Sequence, residues 1–399
     1  MAHRLPDDAS FEHRFGARPP FRLGVEEELF LVDPRTYEIR CCTDLVLARH
    51  GRRRLPGDVL GEMADGVIEL ATPVVATADE AVGTLGALRR ALVHDGDLAL
   101  LGSGLHPTAR FGAVRQRGGA HYDAVASDIR GLLRQSAYCG VHIHVGMPDA
   151  ETAIAAFNGM RKWLPMLHAL GANSPFWHGE DSGLQSARTV RCHSVPRTGL
   201  PRAFADWSDY CASMRDILRV AGVDGLESLW WDMRPHPKLG TLEIRAIDAQ
   251  SSLRALRGLV ALVHCLVYHE ALTADHRHPP KEVLDEATFQ AIRDGLGARL
   301  SVGGPIEHVQ GIARHALDLA SGYANRLGCA DALVEVERTL SEGNGAARQR
   351  RAFAAGGMGG VLASLVDATM AQTEFRRRGA GTLPPVQDQP ARVAVAAQR

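Results

Sequence analysis

Residues 139–146 read Cys-Gly-Val-His-Ile-His-Val-Gly, with Val141, Ile143 and Val145 on one parity and His142 and His144 on the other. A period of two marks a β-strand with one buried face, so both imidazoles are expected on the opposite side of that strand. A single histidine there would read as a core residue bonded to a carbonyl. Two on the same face can hold a metal or meet a phosphate.

Three other segments repeat the theme. Residues 21–34 read Phe-Arg-Leu-Gly-Val-Glu-Glu-Glu-Leu-Phe-Leu-Val-Asp-Pro, in which Glu26 and Glu28 share one strand face and repel each other unless a cation lies between them. Glu27 shares parity with Leu23, Val25, Leu29 and Leu31, and the sequence names no partner for it. Residues 61–73 set Glu69 in an apolar, β-prone run beyond Glu62 and Asp65; taken alone, Glu69 reads as an edge glutamate facing water. Residues 229–248, Leu-Trp-Trp-Asp-Met-Arg-Pro-His-Pro-Lys-Leu-Gly-Thr-Leu-Glu-Ile-Arg-Ala-Ile-Asp, place Glu243 and Arg245 on one face against Leu242, Ile244 and Ala246. That spacing suits an ion pair, or a site where Glu243 holds a cation and Arg245 receives phosphate oxygens. Four strands presenting carboxylate or imidazole on one side predict a curved sheet lining a cation-binding cleft. Hard oxygen donors in excess favour Mg²⁺ or Mn²⁺, with zinc as the alternative that the histidine pair supplies.

Around these segments, 399 residues with 45% hydrophobic and 23% charged side chains are enough for a large core. Strands are expected at 21–32, 66–72, 98–103, 138–147, 228–234 and 240–248. Helices are expected from the capping box at Thr77–Glu80 to about residue 95, from Asp149 to about 170, over 250–275, and almost throughout 280–375, broken near 343–345 and 356–360. Strands without regular βαβ spacing favour an α+β domain with a curved, mostly antiparallel sheet backed by helices and a helix-rich C-terminal third. Residues 1–20 read as a flexible arm, 21–378 as one catalytic domain, and 379–399 as a flexible tail.

A net charge of -1 gives no argument for nucleic acid or an anionic membrane. Lys162, Lys238 and Lys281 are the only lysines and none follows a glycine, so the phosphate loop GxxxxGK[ST] is absent and phosphate handling falls to arginine, backbone or metal. Seven scattered cysteines without a CxxC argue against a disulfide scaffold or cysteine zinc site. With charges and prolines near the N-terminus and His264 interrupting the longest apolar run, a cytoplasmic location is expected. Apolar helical faces over 250–375 exceed what one sheet needs, which suggests a homodimer.

The segments LGVEEEL (23–29), VIELATP (67–73), GLHP (104–107), GVHIHVG (140–146), NSPFWHGEDSGLQSAR (173–188) and WDMRPHPKLGTLEIRAID (231–248), in this order, resemble the bacterial carboxylate-amine ligases of the glutamate-cysteine ligase type 2 group over residues 20–375. The resemblance implies a glutamine-synthetase-like catalytic fold that binds ATP and Mg²⁺. It places Glu26, Glu28, Glu69, His142 and Glu243 at the family's metal and nucleotide-phosphate ligands. Arg245 falls at the arginine that meets the γ-phosphate, beside Glu243, and Arg188 is similar to an arginine near the amino-acid substrate. His144 and Glu62 match the motif with less defined roles, His144 being taken as nucleotide-contacting. The sequence departs from the pattern in reading Ser-Ala-Arg at 186–188, where an aromatic before the arginine is usual, and in its near-absence of lysine.

The implied substrates are ATP, glutamate or a similar carboxylate, and an amine, with cysteine as the family's name-giving acceptor. Metals on the nucleotide phosphates would let a carboxylate attack the γ-phosphorus, giving an acyl phosphate that the amine then consumes. The competing readings are a zinc amidohydrolase or peptidase built on His142 and His144, a phosphagen-type kinase, and a ligase-like protein that binds nucleotide or amino acid without turnover.

Overall fold

In the computed structural model, which describes residues 11–51, 53–93, 96–273 and 278–371, the strand Leu23–Val32 (β1) has two unlike sides. Leu23, Val25, Leu29 and Leu31 enter the main core. The opposite side carries Gly24, Glu26 and Glu28, and then Phe30 and Val32, which belong to a second apolar cluster. One strand face therefore changes along its length from a polar opening to a closed core.

Around β1 assemble β2 (Asp58–Gly61), β3 (Val67–Ala71), β4 (Ala99–Leu101), β5 (Gly140–Gly146), β6 (Met233–His236) and β7 (Thr241–Asp248). They lie in the order β6-β7-β5-β1-β3-β2, with β4 beside the far end of β1, and every pairing is antiparallel. The expected α+β class and helix-backed antiparallel sheet are what the structure has. Elements outside the expectations include β2, whose four residues carry little pattern, the short helix Thr43–His50, and the helices Ala120–Ile129, Ala187–His193 and Trp207–Ala221. The strand expected over 228–234 divides, because Trp230–Trp231 pairs in parallel with Thr198–Gly199 while Met233–His236 joins the sheet. Asp232 sits at the break.

The helices follow from their caps and stripes. Thr77 accepts from Glu80 N at 3.2 Å while the Glu80 carboxylate accepts from Ala76 N, which opens the helix Ala78–Leu92 as expected. Asp149 caps Ala150–Met160, but the single helix expected to about 170 is two, with a 3₁₀ turn at Arg161–Trp163 before Leu164–Gly171. Leu253–Thr273 runs through the main core, packed by Ala78–Leu92, Ala150–Met160, Val309–Ala324 and Ala330–Glu342. The C-terminal third is helix-rich but not wholly helical, since Arg299–Leu300 pairs with Glu307–His308. Within Gly345–Met370 two helices meet at a kink where Gly356 and Gly357 leave helical geometry, as expected near 356–360, Gly357 taking a φ of +61° that favours glycine. Beyond the kink Val361, Leu362 and Leu365 cover Phe30 and Val32. Leu253–Thr273 and Gly345–Met370 are each long and apolar enough to cross a membrane, and the first is mostly enclosed within the protein.

One expectation is corrected. Residues 11–20 are not a loose arm, because Phe11 and Phe15 are buried in the main core and the Phe15 ring meets Trp207 edge-on at 5.5 Å. Arg14 N donates to Pro237 O and Gly16 N to Met147 O, pinning this segment beside the sheet. Burying two phenylalanines is worth roughly 3–6 kcal/mol, which helps offset the ordering of a short segment. Residues 1–10 and the expected tail at 379–399 lie outside the described residues.

Candidate active site

Strand register gathers the polar side chains. β1 sets Glu26 opposite His142 and Gly24 opposite His144 on β5, and Glu28 opposite Glu69 on β3. β7 sets Glu243 opposite His144 on one side and opposite Arg234 of β6 on the other. Directly opposed residues have Cβ atoms about 4.5–5.5 Å apart, so these pairings bring their charges into contact range. The five residues expected as cation ligands lie in two overlapping triads, Glu26–His142–Glu243 and Glu28–Glu69–His142. Within each, candidate ligand atoms lie within 4.8 Å of one another.

The triads differ in how far protein cations already neutralise them. Arg234 Nε donates to Glu243 Oε2 at 2.6 Å and Arg245 Nη1 donates to Glu243 Oε1. Burial opposes ionisation of Glu243, but the guanidiniums of Arg234 and Arg245 hold its carboxyl well below the usual range. Glu26 behaves alike: burial is outweighed by His142, whose Nδ1 lies 3.1 Å from Oε2, and by His144, and its pKa falls. Around the second triad the sign reverses. Burial, followed by the charges of Glu26, Glu62 and Glu28, pushes Glu69 up to about 10. Glu28 is raised by burial against the pull of Arg188, and Glu62 by burial and the charge of Glu28. Four acidic groups meeting without matching protein cations hold a proton or a metal ion, and an oxygen-rich set with one imidazole fits Mg²⁺ or Mn²⁺. Tyr122, next to this cluster, donates to Gly61 O at 2.8 Å.

His142 and His144 share the site face but not one environment. Burial and the Arg245 charge lower His142. For His144, burial is overcome by Glu243 and Glu26, and its pKa rises. Its Nδ1 is fixed 3.0 Å from Thr241 Oγ1, leaving Nε2 to Glu26 at 3.5 Å and Glu243 at 3.9 Å.

A bulge in β7 between Ile244 and Ile247 positions Arg245. Its backbone N donates to Asp232 O at 2.7 Å, and its guanidinium stays on the Glu243 side. The extra residue flips parity, so Asp248 also lands on the polar side. Asp248 is the main residue the sequence reading missed. It accepts from Asn173 N, Ser174 Oγ and Ser186 Oγ at 2.7–2.9 Å and lies 3.7 Å from Arg188 Nη1. Its signal was present: strict alternation would put this acid among Ile244 and Ala246, which only a bulge or an ion pair can relieve.

Arg188 lies in the first turn of the helix Ala187–His193, capped by Ser186. It lies across Gly140, where an added Cβ would come within 2.2 Å of Nη2. Its Nη2 donates to Arg245 O at 3.3 Å, while the buried Nε has no hydrogen-bond partner among the described residues. A pocket joins these elements, lined among others by Glu28, His142, Arg245, Arg188, Trp230, Trp231 and Asp232. In it Tyr138 and the two tryptophans supply the aromatic surface that Ala187 does not.

Glu27 points the other way. Arg89 Nε and Nη2 donate to its two oxygens at 2.9 and 2.6 Å, and the remaining guanidinium protons reach Ser251 O, Gln250 O and Thr369 O. This fully paired group answers the carboxylate that the sequence left without a partner. The sequence signal was Arg89 itself, set four residues after Leu85 within an apolar stripe.

The chain matches the model of the glutamate-cysteine ligase family 2 over residues 22–368. It is 36% identical over 365 residues to a Rubrobacter xylanophilus protein named "Putative glutamate--cysteine ligase 2-3", covering 89% of this chain and 98% of that one. A Solibacter usitatus protein named "Putative glutamate--cysteine ligase 2" is 30% identical, with 90% and 94% covered. Among solved structures, the fold is similar to a glutamate-cysteine ligase from Francisella tularensis in complex with AMP (TM-score 0.62, 12% identity, 88% and 89% covered). It is also similar to a bifunctional glutathione synthetase from Pasteurella multocida, of which it spans 52% (TM-score 0.63, 13% identity, 88% of this chain). The chain belongs to the glutamate-cysteine ligase family 2 and is an ATP-dependent ligase that forms carbon-nitrogen bonds.

Proposed function

We propose that this ligase activates the side-chain carboxylate of L-glutamate with ATP and transfers the acyl group to an amine, L-cysteine being the acceptor to which the family's name points. One observation carries the reading: a single pocket is lined by Glu28, a member of the acidic cluster that exceeds its cations, and by two arginines, the buried Arg188 and the partly buried Arg245. The similar Francisella tularensis ligase is described in complex with AMP, which supports an adenine nucleotide as the phosphoryl source.

Glu28, Glu69 and His142, with Glu26 and Glu243 beside them, would hold Mg²⁺ or Mn²⁺, which neutralises nucleotide phosphates and orients them for in-line transfer. Arg245 is aimed by Glu243 and by its bulge toward the pocket, where it can meet the charge that grows on the transferring phosphoryl group. The glutamate oxygen forms a bond to the γ-phosphorus as the bond to ADP breaks. The amine nitrogen then attacks the carbonyl carbon, phosphate leaves with its pair of electrons, and the amine gives up one proton. No nucleophilic side chain is needed, and Cys192, the cysteine in the pocket, has its thiol pushed up to about 11, chiefly by burial.

The test is a phosphate-release screen of ATP and glutamate against all amino acids and common polyamines, with Mg²⁺, with Zn²⁺ and with chelator. Release that requires glutamate, Mg²⁺ and one class of amine is expected. Metal-dependent amide hydrolysis without ATP would replace this reading with the zinc hydrolase.

A further inference from the structure

Residues 118–131 are firmly anchored on either side and lightly held between. Before them, Arg115 pairs with Asp65, Arg117 pairs with Asp44, and Gln116 bridges to Ala64. After them, Arg191 Nη2 donates to Leu132 O at 2.7 Å and Nε to Ser136 O at 3.2 Å. The stretch between forms the helix Ala120–Ile129, which packs broadly on no other element among the described residues except the 3₁₀ turn Arg130–Arg134 that follows it. Of its described side chains only Ile129 is buried. So small an apolar anchor marks a segment that opens by itself while the sheet stays folded. Both junctions are built to turn: Gly119, after Gly118, has a φ of +134°, and Arg130, before Gly131, is held at +51°, a region that side chains disfavour.

The two ends of this helix reach opposite rims of the site. Near its start Tyr122 donates to Gly61 O at 2.8 Å, one residue before Glu62 of the acidic cluster. Near its end the Asp128 carboxylate accepts from Arg197 Nη2. Arg197 also donates from Nε to Ser228 O at 2.9 Å, and its guanidinium carbon lies 5.2 Å from the centre of the Trp230 ring. Trp230 and Thr198, the residue after Arg197, line the pocket. We propose that the helix Ala120–Ile129 is a lid that opens to admit substrates and closes over the acyl phosphate, with Asp128 and Arg197 as its latch. The inference rests on the acyl-phosphate reading in naming what the lid protects.

An acyl phosphate reacts with water as well as with an amine. In that side reaction the water oxygen bonds to the carbonyl carbon, the bond to the phosphate oxygen breaks with its electron pair, and the two protons of water pass to phosphate and solvent. The carboxylate is restored and the ATP is wasted. Excluding water until the amine has attacked is what a closing segment contributes. The latch suits this task because Arg197 belongs to the wall that carries Trp230, so one guanidinium fixes both the closed helix and the edge of the pocket. Asp128 touches no reacting atom in this scheme and is a positioning residue. Its loss therefore shows in the ratio of amide to ADP, which a purely structural role would leave alone.

The experiment uses the full chain and two readouts. Amide hydrogen exchange is followed with and without Mg²⁺, glutamate and a non-hydrolysable ATP analogue. ADP and amide are then counted with ATP, glutamate and cysteine, and ADP again without the amine. In the wild type the ligands should slow exchange over 119–131 more than elsewhere. Asp128→Ala should abolish that slowing and raise amine-independent ADP release by about 3- to 10-fold, the range of one partly exposed charge-assisted contact, while the amide formed per ADP falls. Asp128→Glu, which keeps the carboxylate, should restore both. Exchange over 119–131 that ignores the ligands overturns the lid without any variant. So does an Asp128→Ala protein whose amide yield per ADP matches the wild type, or whose faster exchange spreads over the whole chain. Ligand-induced slowing that depends on Asp128 but comes without glutamate-dependent ADP release would uphold the closure and refute the acyl-phosphate reading. Glutamate-dependent ADP release with exchange indifferent to the ligands would do the reverse.

Discussion

Glu27 and Glu28 are consecutive, chemically identical and both buried, yet they meet opposite surroundings. Glu27 faces the helices and has one guanidinium, Arg89, bonded to both oxygens, with the leftover N–H groups of that arginine satisfied by carbonyls. Glu28 faces the opening with Glu26, Glu62 and Glu69, accepts one backbone N–H from Gly140 at 2.6 Å, and has its pKa raised. Burial does not separate the structural carboxylate from the functional one. The count of charges around each does: a one-to-one pair is closed, whereas a group of acids exceeding its cations is completed only by something from outside.

The largest effect should come from the arginine that borders the open side. If Arg245 only balanced Glu243, as Arg89 balances Glu27, lysine would serve almost as well. As the group that meets the transferring phosphoryl, its planar fork cannot be copied, and such an arginine contributes a rate factor of about 10³ to 10⁵. Arg245→Lys should bind ATP nearly as wild type does and lose the transfer of ¹⁸O from labelled glutamate into phosphate. Transfer above about a tenth of the wild-type rate would put Arg245 in the same class as Arg89.

Exchanging a single carboxylate on each face sharpens the contrast. Glu27→Gln leaves Arg89 buried without its counter-ion and should cost about 3–5 kcal/mol of stability, read in urea unfolding, with turnover per folded molecule close to wild type. Glu28→Gln removes one of several mutually repelling acids, so stability should hold or rise, while Mg²⁺-dependent turnover should fall by roughly two to three orders of magnitude. Two variants that move stability and turnover together would erase the distinction between the faces.

The sequence made the open face legible and the closed one less so. Period two in 23–32, 140–146 and 241–245 assigns Glu26, Glu28, His142, His144, Glu243 and Arg245 to one side with no knowledge of pairing, because alternation is local. What alternation cannot supply is register, so the meeting of Glu28 with Glu69 and of Glu243 with Arg234 becomes visible only in the sheet. Glu69, which alone reads as an edge glutamate facing water, is half-buried in the cluster because β2 pairs outside β3. Long-range partners such as Arg89 for Glu27, 62 residues away, and Asp248 for the loop 173–186, leave only indirect marks: a charge inside an apolar stripe, or an acid on the wrong parity.

The smallest effect probes the closed face through pH. His264, within the core helix Leu253–Thr273, lies with Nε2 2.8 Å from Phe21 O just before β1, and its buried Nδ1 has no hydrogen-bond partner among the described residues. Burial, only partly offset by the Phe21 carbonyl, lowers its pKa to about 4. An unfolded histidine titrates near 6.5, so between about pH 6.5 and 4 the unfolded chain binds a proton that the native chain refuses. This contribution to stability is present in full above 6.5 and is lost as pH falls toward 4, by about 3 kcal/mol in total. Glutamine at this position keeps an N–H for Phe21 O and cannot titrate. His264→Gln should therefore be less stable than, or equal to, wild type at pH 7.5, and should gain on it steadily in urea titrations between pH 6.5 and 4.5. Parallel pH profiles would show that this side tolerates an uncompensated charge, against the one-to-one pairing that Glu27 and Arg89 display.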